Sequence, residues 1–188
     1  ENDFALPGSK QMNISGADGV LKTAGIISLA GTLDVSAANS SLEGGTIALS
    51  GGTLQTDNDI TVKSDLISQA DSSISVAAGK KVTYTGSTVS IGGHSLTLSG
   101  SGIFENTGSL ALDNSSSILS LSGISVKNVS VTGELTTGKL EAAQDSQIDT
   151  LALSGSSRVD IANEKTLTLA SAVEIPVNKS MELVGSGG

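Results

Sequence analysis

Residues 74–112 read ISVAAGKKVTYTGSTVSIGGHSLTLSGSGIFENTGSLAL. Within them Val82, Val89, Leu96, Ile103 and Leu110 follow one another at intervals of seven. Tyr84, Ile91, Leu98 and Leu112 add an apolar partner two places on, and the residues between are mainly Thr and Ser. Alternation with a period of two is the signature of a strand with one buried face, and the Gly-rich joints mark tight corners. The repeating unit is therefore a short strand and a corner.

Outward from this stretch the rhythm persists with changes of step. Ile60, Ile67 and Ile74 also lie seven apart, and Leu33/Val35, Ile47/Leu49, Leu54 and Ile60/Val62 mark earlier segments. After Leu110 the spacing shortens, with Leu119, Ile124 and Val129 five apart, then Leu135 and Leu140. Shorter corners, or one narrower face, are expected there. The pattern returns as Leu151/Leu153, Val159/Ile161, Leu167/Leu169, Val173/Ile175 and Met181/Leu183. Three steps make about 21–22 residues, the span of one solenoid turn built from three strands and three corners. The stretch 139–151 (KLEAAQDSQIDTL) contains good helix formers and offers a local helical alternative.

A sandwich would join its strands through hairpins such as Asn-Gly or Asp-Gly. The corners here are instead Ser-Gly, Gly-Gly and Thr-Gly, and successive strands resemble one another. The fold class expected is all-β, a single-domain parallel β-solenoid. It would be a right-handed β-helix of seven to eight rungs, roughly 35–40 Å long at the inter-strand spacing. Residues 1–18 are expected to form an N-terminal extension or cap, 19–184 the solenoid, and 185–188 a flexible tail or cut end.

Composition agrees with a thin interior. Aromatic residues make up only 2 %, so aliphatic side chains must fill the core. Leu, Ile and Val are too frequent and too regularly placed for a disordered chain. There is no Cys, which excludes disulfides and thiolate metal sites. No apolar run is long enough for a transmembrane helix. No basic-then-apolar leader opens the chain, so a processed or excised segment is expected. Lys and Arg number 10 against 19 Asp and Glu, and Arg158 is the only Arg. Nucleic acid, which needs clustered cations, is not an expected partner.

The segments VAAGKKVTYTGSTVSIGGHSLTLSGSG (76–102) and DIANEKTLTLASAVEIPVNKSMELVGSG (160–187) resemble repeats of secreted bacterial right-handed β-helix proteins, such as filamentous-haemagglutinin-type adhesins and autotransporter passenger regions. The resemblance implies export, a rod-like scaffold, and adhesion or surface-layer roles. It implies no site residue. Some β-helix relatives cleave polysaccharides, so fold alone does not assign activity.

The search for chemistry gives sparse candidates. His94 is the only histidine and sits at a Gly-Gly corner, where it is expected to be structural. Carboxylates for glycoside chemistry are scattered: Asp57, Asp59, Asp65, Asp71, Glu105, Asp113, Glu134, Glu141, Asp145, Asp149, Asp160 and Glu164. Asp57, Asp59 and Asp65 are the best calcium candidates, although no EF-hand or Gly-rich nonapeptide pattern surrounds them. A solvated turn is the expectation. Asn13, Asn39, Asn114, Asn128 and Asn178 stand in Asn-x-Ser/Thr sequons. Thr83/Thr85, Ser90, Thr97/Ser99 and Thr166/Thr168 are read as outward hydroxyls that face water.

The functional expectation is a non-enzymatic structural or adhesive rod of a secreted or cell-surface protein, with no catalytic residue, no metal and no cofactor. Its partners would be a host or neighbouring-cell surface and a carbohydrate or protein receptor. A self-assembling fibre subunit with end-to-end association and a polysaccharide-binding or polysaccharide-cleaving β-helix are the alternatives. Binding is expected at the uneven corners rather than on the regular faces.

Overall fold

In a computed structural model the chain is an all-β parallel solenoid of about nine turns, described for residues 2–108 and 110–185. The first three turns comprise β1 (Phe4–Leu6), β2 (Gln11–Ile14), β3 (Val20–Lys22), β4 (Ile26–Leu29), β5 (Thr32–Val35), β6 (Ser40–Glu43), β7 (Thr46–Ser50), β8 (Thr53–Thr56) and β9 (Ile60–Val62). The next follow as β10 (Asp65–Ala70), β11 (Ser72–Val76), β12 (Lys81–Tyr84), β13 (Val89–Ser90), β14 (Ser95–Ser99) and β15 (Ile103–Asn106). The remainder are β16 (Leu110–Leu112), β17 (Ile118–Ser122), β18 (Ser125–Val131), β19 (Lys139–Ala142), β20 (Ser146–Leu153), β21 (Ser157–Ile161), β22 (Leu167–Leu169) and β23 (Met181–Gly185).

Up to β17 each strand stacks on the one three before it, beyond that the step shortens to two, and every pairing is parallel. Face 1 begins β1-β4-β7-β10-β13-β16, face 3 begins β3-β6-β9-β12-β15, and the nine strands β2-β5-β8-β11-β14-β17-β19-β21-β23 form face 2. Register is held by identity of role: Ile27, Ile47, Leu66, Val89, Leu110, Val129 and Leu151 form one unbroken inward column on face 1. Leu33, Leu54, Ile74, Leu98 and Leu121 do the same on face 2. A one-residue slip would turn every such column to solvent, so burial enforces the register.

The seven-residue step thus marks one strand per face, with a phase error at two positions. Ile103 is 45 % exposed and Phe104 points inward instead; likewise Leu66, not Ile67, fills the core. The gain at Phe104 is a stack on Tyr84 one turn below, with ring centroids 6.3 Å apart.

The shortened rhythm after Leu110 has a clear cause. β18 pairs β15 through Ser125 and Val126 and β16 through Leu110-to-Leu112 partners, so one strand serves faces 3 and 1 without a turn. β20 repeats this arrangement one turn on. At this corner Asn106, fully buried, donates to the carbonyls of Gly108 (2.6 Å) and Asn128 (2.7 Å), and its Oδ1 accepts the Asn128 N–H at 3.1 Å. An asparagine pair replaces the missing loop.

Two expectations are corrected. The stack has about nine turns rather than seven to eight, because residues 4–14 supply β1 and β2, which pair β4 and β5 as the first rung. Turns run from 19 to 24 residues around the expected 21–22, as the uneven rhythm implied: Ile47 and Leu66 are in-register neighbours, as are Ile74 and Leu98. The local helical alternative is not taken, and residues 139–151 form β19, a turn and the start of β20. The segment expected around Val173/Ile175 is not a strand; Pro176, which lacks a backbone donor, follows it. Of the expected tail, Gly185 closes β23 and 186–188 lie outside the described residues. Among the described residues no helix is long and apolar enough to cross a membrane.

Candidate functional site: the outer columns and an uneven corner

Stacking in register turns each outward position into a column, and the three faces differ chemically. The outward register of face 1 is Ala5, Ser28, Ala48, Ile67, Ser90, Ala111, Ser130 and Ala152, a narrow row of mostly small residues in which Ala48 is buried. Face 3 carries two ion ladders. Glu43 lies between Lys22 (3.2 Å) and Lys63 (2.7 Å), and Glu105 between Lys81 (2.7 Å) and Lys127 (3.0 Å). The hydrogen bonds from Lys63 and Lys22 hold Glu43 down to about 2, and those from Lys81 and Lys127 hold Glu105 down to about 2. These pairs are solvent-exposed and contribute little to stability individually.

Face 2 carries hydroxyls. Thr32, Thr53, Ser73, Thr97 and Ser120 form one column over five successive turns, and Ser75, Ser99 and Ser122 form a second beside it. The Thr53 and Ser73 hydroxyls are 2.8 Å apart. Beyond Ser120 the first column turns ionic, through Glu141 and Asp160. There a second shallow cavity of about 250 Å³ is lined by Lys139, Glu141, Arg158 and Asp160 with Ile161 and Val184. Its charges are mutually paired: Lys139 contacts Glu141 at 2.9 Å and Asp160 at 3.1 Å, and Arg158 contacts Asp160 at 2.7 Å. The Arg158 hydrogen bond is the main cause of Asp160's lowered pKa.

The candidate site is where the hydroxyl column meets the corner between faces 1 and 2. A shallow cavity of about 280 Å³ is lined by Gly51, Gly52, Thr53, Asp71, Ser72, Ser73, Ser95 and Thr97. Here the corner is tight, Gly51–Gly52 in one turn and Asp71 alone in the next. Gly51 has φ +94, and a Cβ on it would meet nothing nearer than 3.9 Å, so the space above it is open. Ala30–Gly31, one turn below, is equally short; residues 7–10 two turns below, and 91–94 and 113–117 above, make longer corners. The exposed Asp71 is fixed by accepting the Ser95 N–H at 2.8 Å through Oδ1. The arrangement offers a carboxylate and several hydroxyls in a polar, unwalled dish.

Five of the other carboxylates named from the sequence serve the scaffold. Asp59 accepts the Lys81 N–H at 2.8 Å, Asp65 those of Ser87 and Thr88 at 2.8 and 3.1 Å, Asp145 that of Thr166 at 2.8 Å, and Glu134 that of Ser156 at 2.9 Å. Asp113 accepts from Ser90 Oγ at 2.6 Å and Gly92 N at 3.2 Å. At a corner the chain leaves its ladder, and a carboxylate one turn away satisfies the exposed N–H. Asp57 and Asp59 lie in the turn before β9, and Asp65 opens β10. Among the described residues no group of three or more His, Asp or Glu side chains forms a metal cluster. His94 closes a corner through its backbone, its N–H bonded to Ile91 O at 3.2 Å. Of the sequon residues, Asn13, Asn39, Asn114 and Asn178 are exposed and Asn128 is half-buried in the corner pair.

The hydroxyl column was hidden in the sequence because its members are a full turn apart. Thr83, Ser90 and Thr97, adjacent in the seven-residue rhythm, point out of three different faces. Aligning the chain by turns of unequal length was the signal needed. Comparison with protein-family models, with curated proteins and with solved structures gives no match to this chain.

Proposed function

We propose that this chain is a non-enzymatic rigid segment of a secreted or cell-surface protein, a rod that serves adhesion or holds another module at a distance. The observation that carries the reading is the uninterrupted nine-strand ladder of face 2. Each interior rung is fastened to both neighbours by backbone hydrogen bonds and by a continuous aliphatic column, an arrangement that resists bending. The use of Asp59, Asp65, Glu134 and Asp145 as backbone acceptors supports a scaffold role over glycoside chemistry, which needs two carboxylates facing one substrate bond. The resemblance to secreted β-helical repeats supports the extracellular placement.

Antibody raised against the chain tests that placement on intact producing cells. Labelling without permeabilisation is expected, and labelling only after permeabilisation overturns it. Incubation with polygalacturonate or alginate, with and without calcium, is expected to release no products. Reproducible turnover would replace the scaffold reading by an enzymatic one.

A further inference from the structure

We propose that the dish at the corner of faces 1 and 2, with the hydroxyl column through it, binds an extended neutral polysaccharide lying parallel to the rod axis. The inference rests on the adhesive reading above for its setting outside the cell, and it names what that adhesion grips.

Three features converge. The first is room of the right form. The short Ala30–Gly31, Gly51–Gly52 and Asp71 corners form a floor three turns long beside the hydroxyl column, and the longer corners at 7–10 and 91–94 mark its two ends. A glycan running along the rod lies on this floor and on the hydroxyl column beside it, which continues past the upper end to Thr97 and Ser120 on face 2.

The second is period. Thr32, Thr53, Ser73, Thr97 and Ser120 repeat at the rung spacing, about 4.8 Å. That spacing is close to the advance per residue of an extended, equatorially linked pyranose chain. Successive sugars would therefore meet equivalent hydroxyls instead of drifting out of phase. A polypeptide strand laid along the axis would advance by a different amount and lose the match.

The third is chemistry. Asp71 spends Oδ1 on the Ser95 N–H, which leaves its other oxygen to accept from a sugar hydroxyl, a charge-assisted bond. Among the described residues the Ser95 and Thr97 hydroxyls have no side-chain partner, and each can both donate and accept. No cation lines the dish, and the chain carries a net charge of −9. Acidic polysaccharides are therefore disfavoured and neutral ones selected. No aromatic ring stacks on the sugar, so each residue adds little and binding must build up over several rungs.

The test is calorimetric titration of the 188-residue chain with cellohexaose, mannohexaose, cellobiose and hexagalacturonate. Saturable binding of at least one neutral hexamer is expected, about tenfold or more tighter than cellobiose, with none for hexagalacturonate. Asp71→Asn keeps the amide oxygen for Ser95 and removes the charge, so about tenfold weaker binding is expected. Ser73→Tyr and Thr97→Tyr place a ring over the dish from outward positions and should abolish binding. Thr83→Tyr on face 3 should leave it unchanged. Should a tyrosine variant lose its strand spectrum, amide shift perturbations in the unmodified chain decide, and they must centre on Asp71, Ser73, Ser95 and Thr97. Absence of binding to both neutral hexamers, preference for hexagalacturonate, or shifts centred on another face overturns the proposal. Failure here with successful labelling of intact cells leaves the spacer role standing and removes only the glycan.

Discussion

Replacing Asn106 by leucine should be among the most damaging single changes in the molecule. The side chain is fully buried at the corner where β18 runs from face 3 to face 1 without a turn. Its amide serves three backbone groups: Gly108 O, Asn128 O and Asn128 N–H. Leucine fills a similar volume and leaves all three without that partner. Each buried unsatisfied group costs about 1–3 kcal/mol. The added apolar burial returns about 1.5–3 kcal/mol. The Asn128 side chain still bonds Asn106 O at 2.9 Å, so part of the corner survives. A net loss of about 2–5 kcal/mol is expected, a large part of the ~5–15 kcal/mol typical of a folded domain. Asn106→Asp adds a sign. A buried carboxylate facing two carbonyls has its pKa raised on folding; its protonated form restores a donor. Stability should therefore be higher at about pH 4 and fall as pH rises through the folded-state pKa. Urea unfolding followed by far-ultraviolet circular dichroism measures both variants. An Asn106→Leu loss below about 0.5 kcal/mol, or an Asn106→Asp loss independent of pH between about 4 and 7, would refute the role given to this corner.

Other outcomes follow from the same packing. Leu98→Ala, fully buried between Ile74 and Leu121, should cost about 2–5 kcal/mol, whereas outward Thr97→Ala should stay within about 0.5 kcal/mol; equal effects would mean the face assignment is reversed. Gly100 has φ +95 and an added Cβ would lie 2.1 Å from Val76 O, so Gly100→Ala should cost about 2 kcal/mol or more in the same urea assay. Glu43 and Glu105 have folded pKa values of about 2, below the ordinary 4.5. Their stabilising contribution is present above that ordinary value and drains away as pH falls toward about 2. The melting-temperature difference between the chain and its Glu43→Gln/Glu105→Gln variant should shrink over that window and with added salt; a constant difference contradicts the ladders. Tyr84, the only tyrosine, is pushed up to about 12 by burial and then by the Asp65 charge, while its hydroxyl donates to Thr88 O. Ultraviolet titration should show no phenolate near 10, and stability should be lost as pH climbs from about 10 to about 12; ionisation near 10 in the folded chain would show the ring to be exposed.

Much of the fold was legible because burial writes a period of two into every strand. Leu33/Val35, Ile47/Leu49 and Val82/Tyr84 are inward pairs in the sequence pattern and in the stack. The pattern erred where the residue at an expected inward position is exposed and its neighbour is larger: Phe104 displaced Ile103 from the core. The local loss of rhythm after Leu110 was visible, but its cause was not, since the Asn106–Asn128 pair joins residues 22 apart. The site was less legible for the same reason. Thr53, Asp71, Ser73, Ser95 and Thr97 come from three consecutive turns of unequal length, and only the register brings them together. The sequence pointed to uneven corners in general, and nothing in it singled out Gly51–Gly52.

The central claim is that equivalent residues one turn apart sit one strand spacing apart along a straight rod. The chain has no Cys, so paired spin labels can be introduced cleanly. Thr32 and Ser120 are four steps apart in one face 2 column, and Gln11 and Glu141 six. Electron–electron distance measurements on the two double-cysteine variants should peak near ~19 Å and ~29 Å, increasing in proportion to the number of turns. Equal distances for the two pairs, or a longer separation for Thr32 and Ser120 than for Gln11 and Glu141, would contradict the stacked rod.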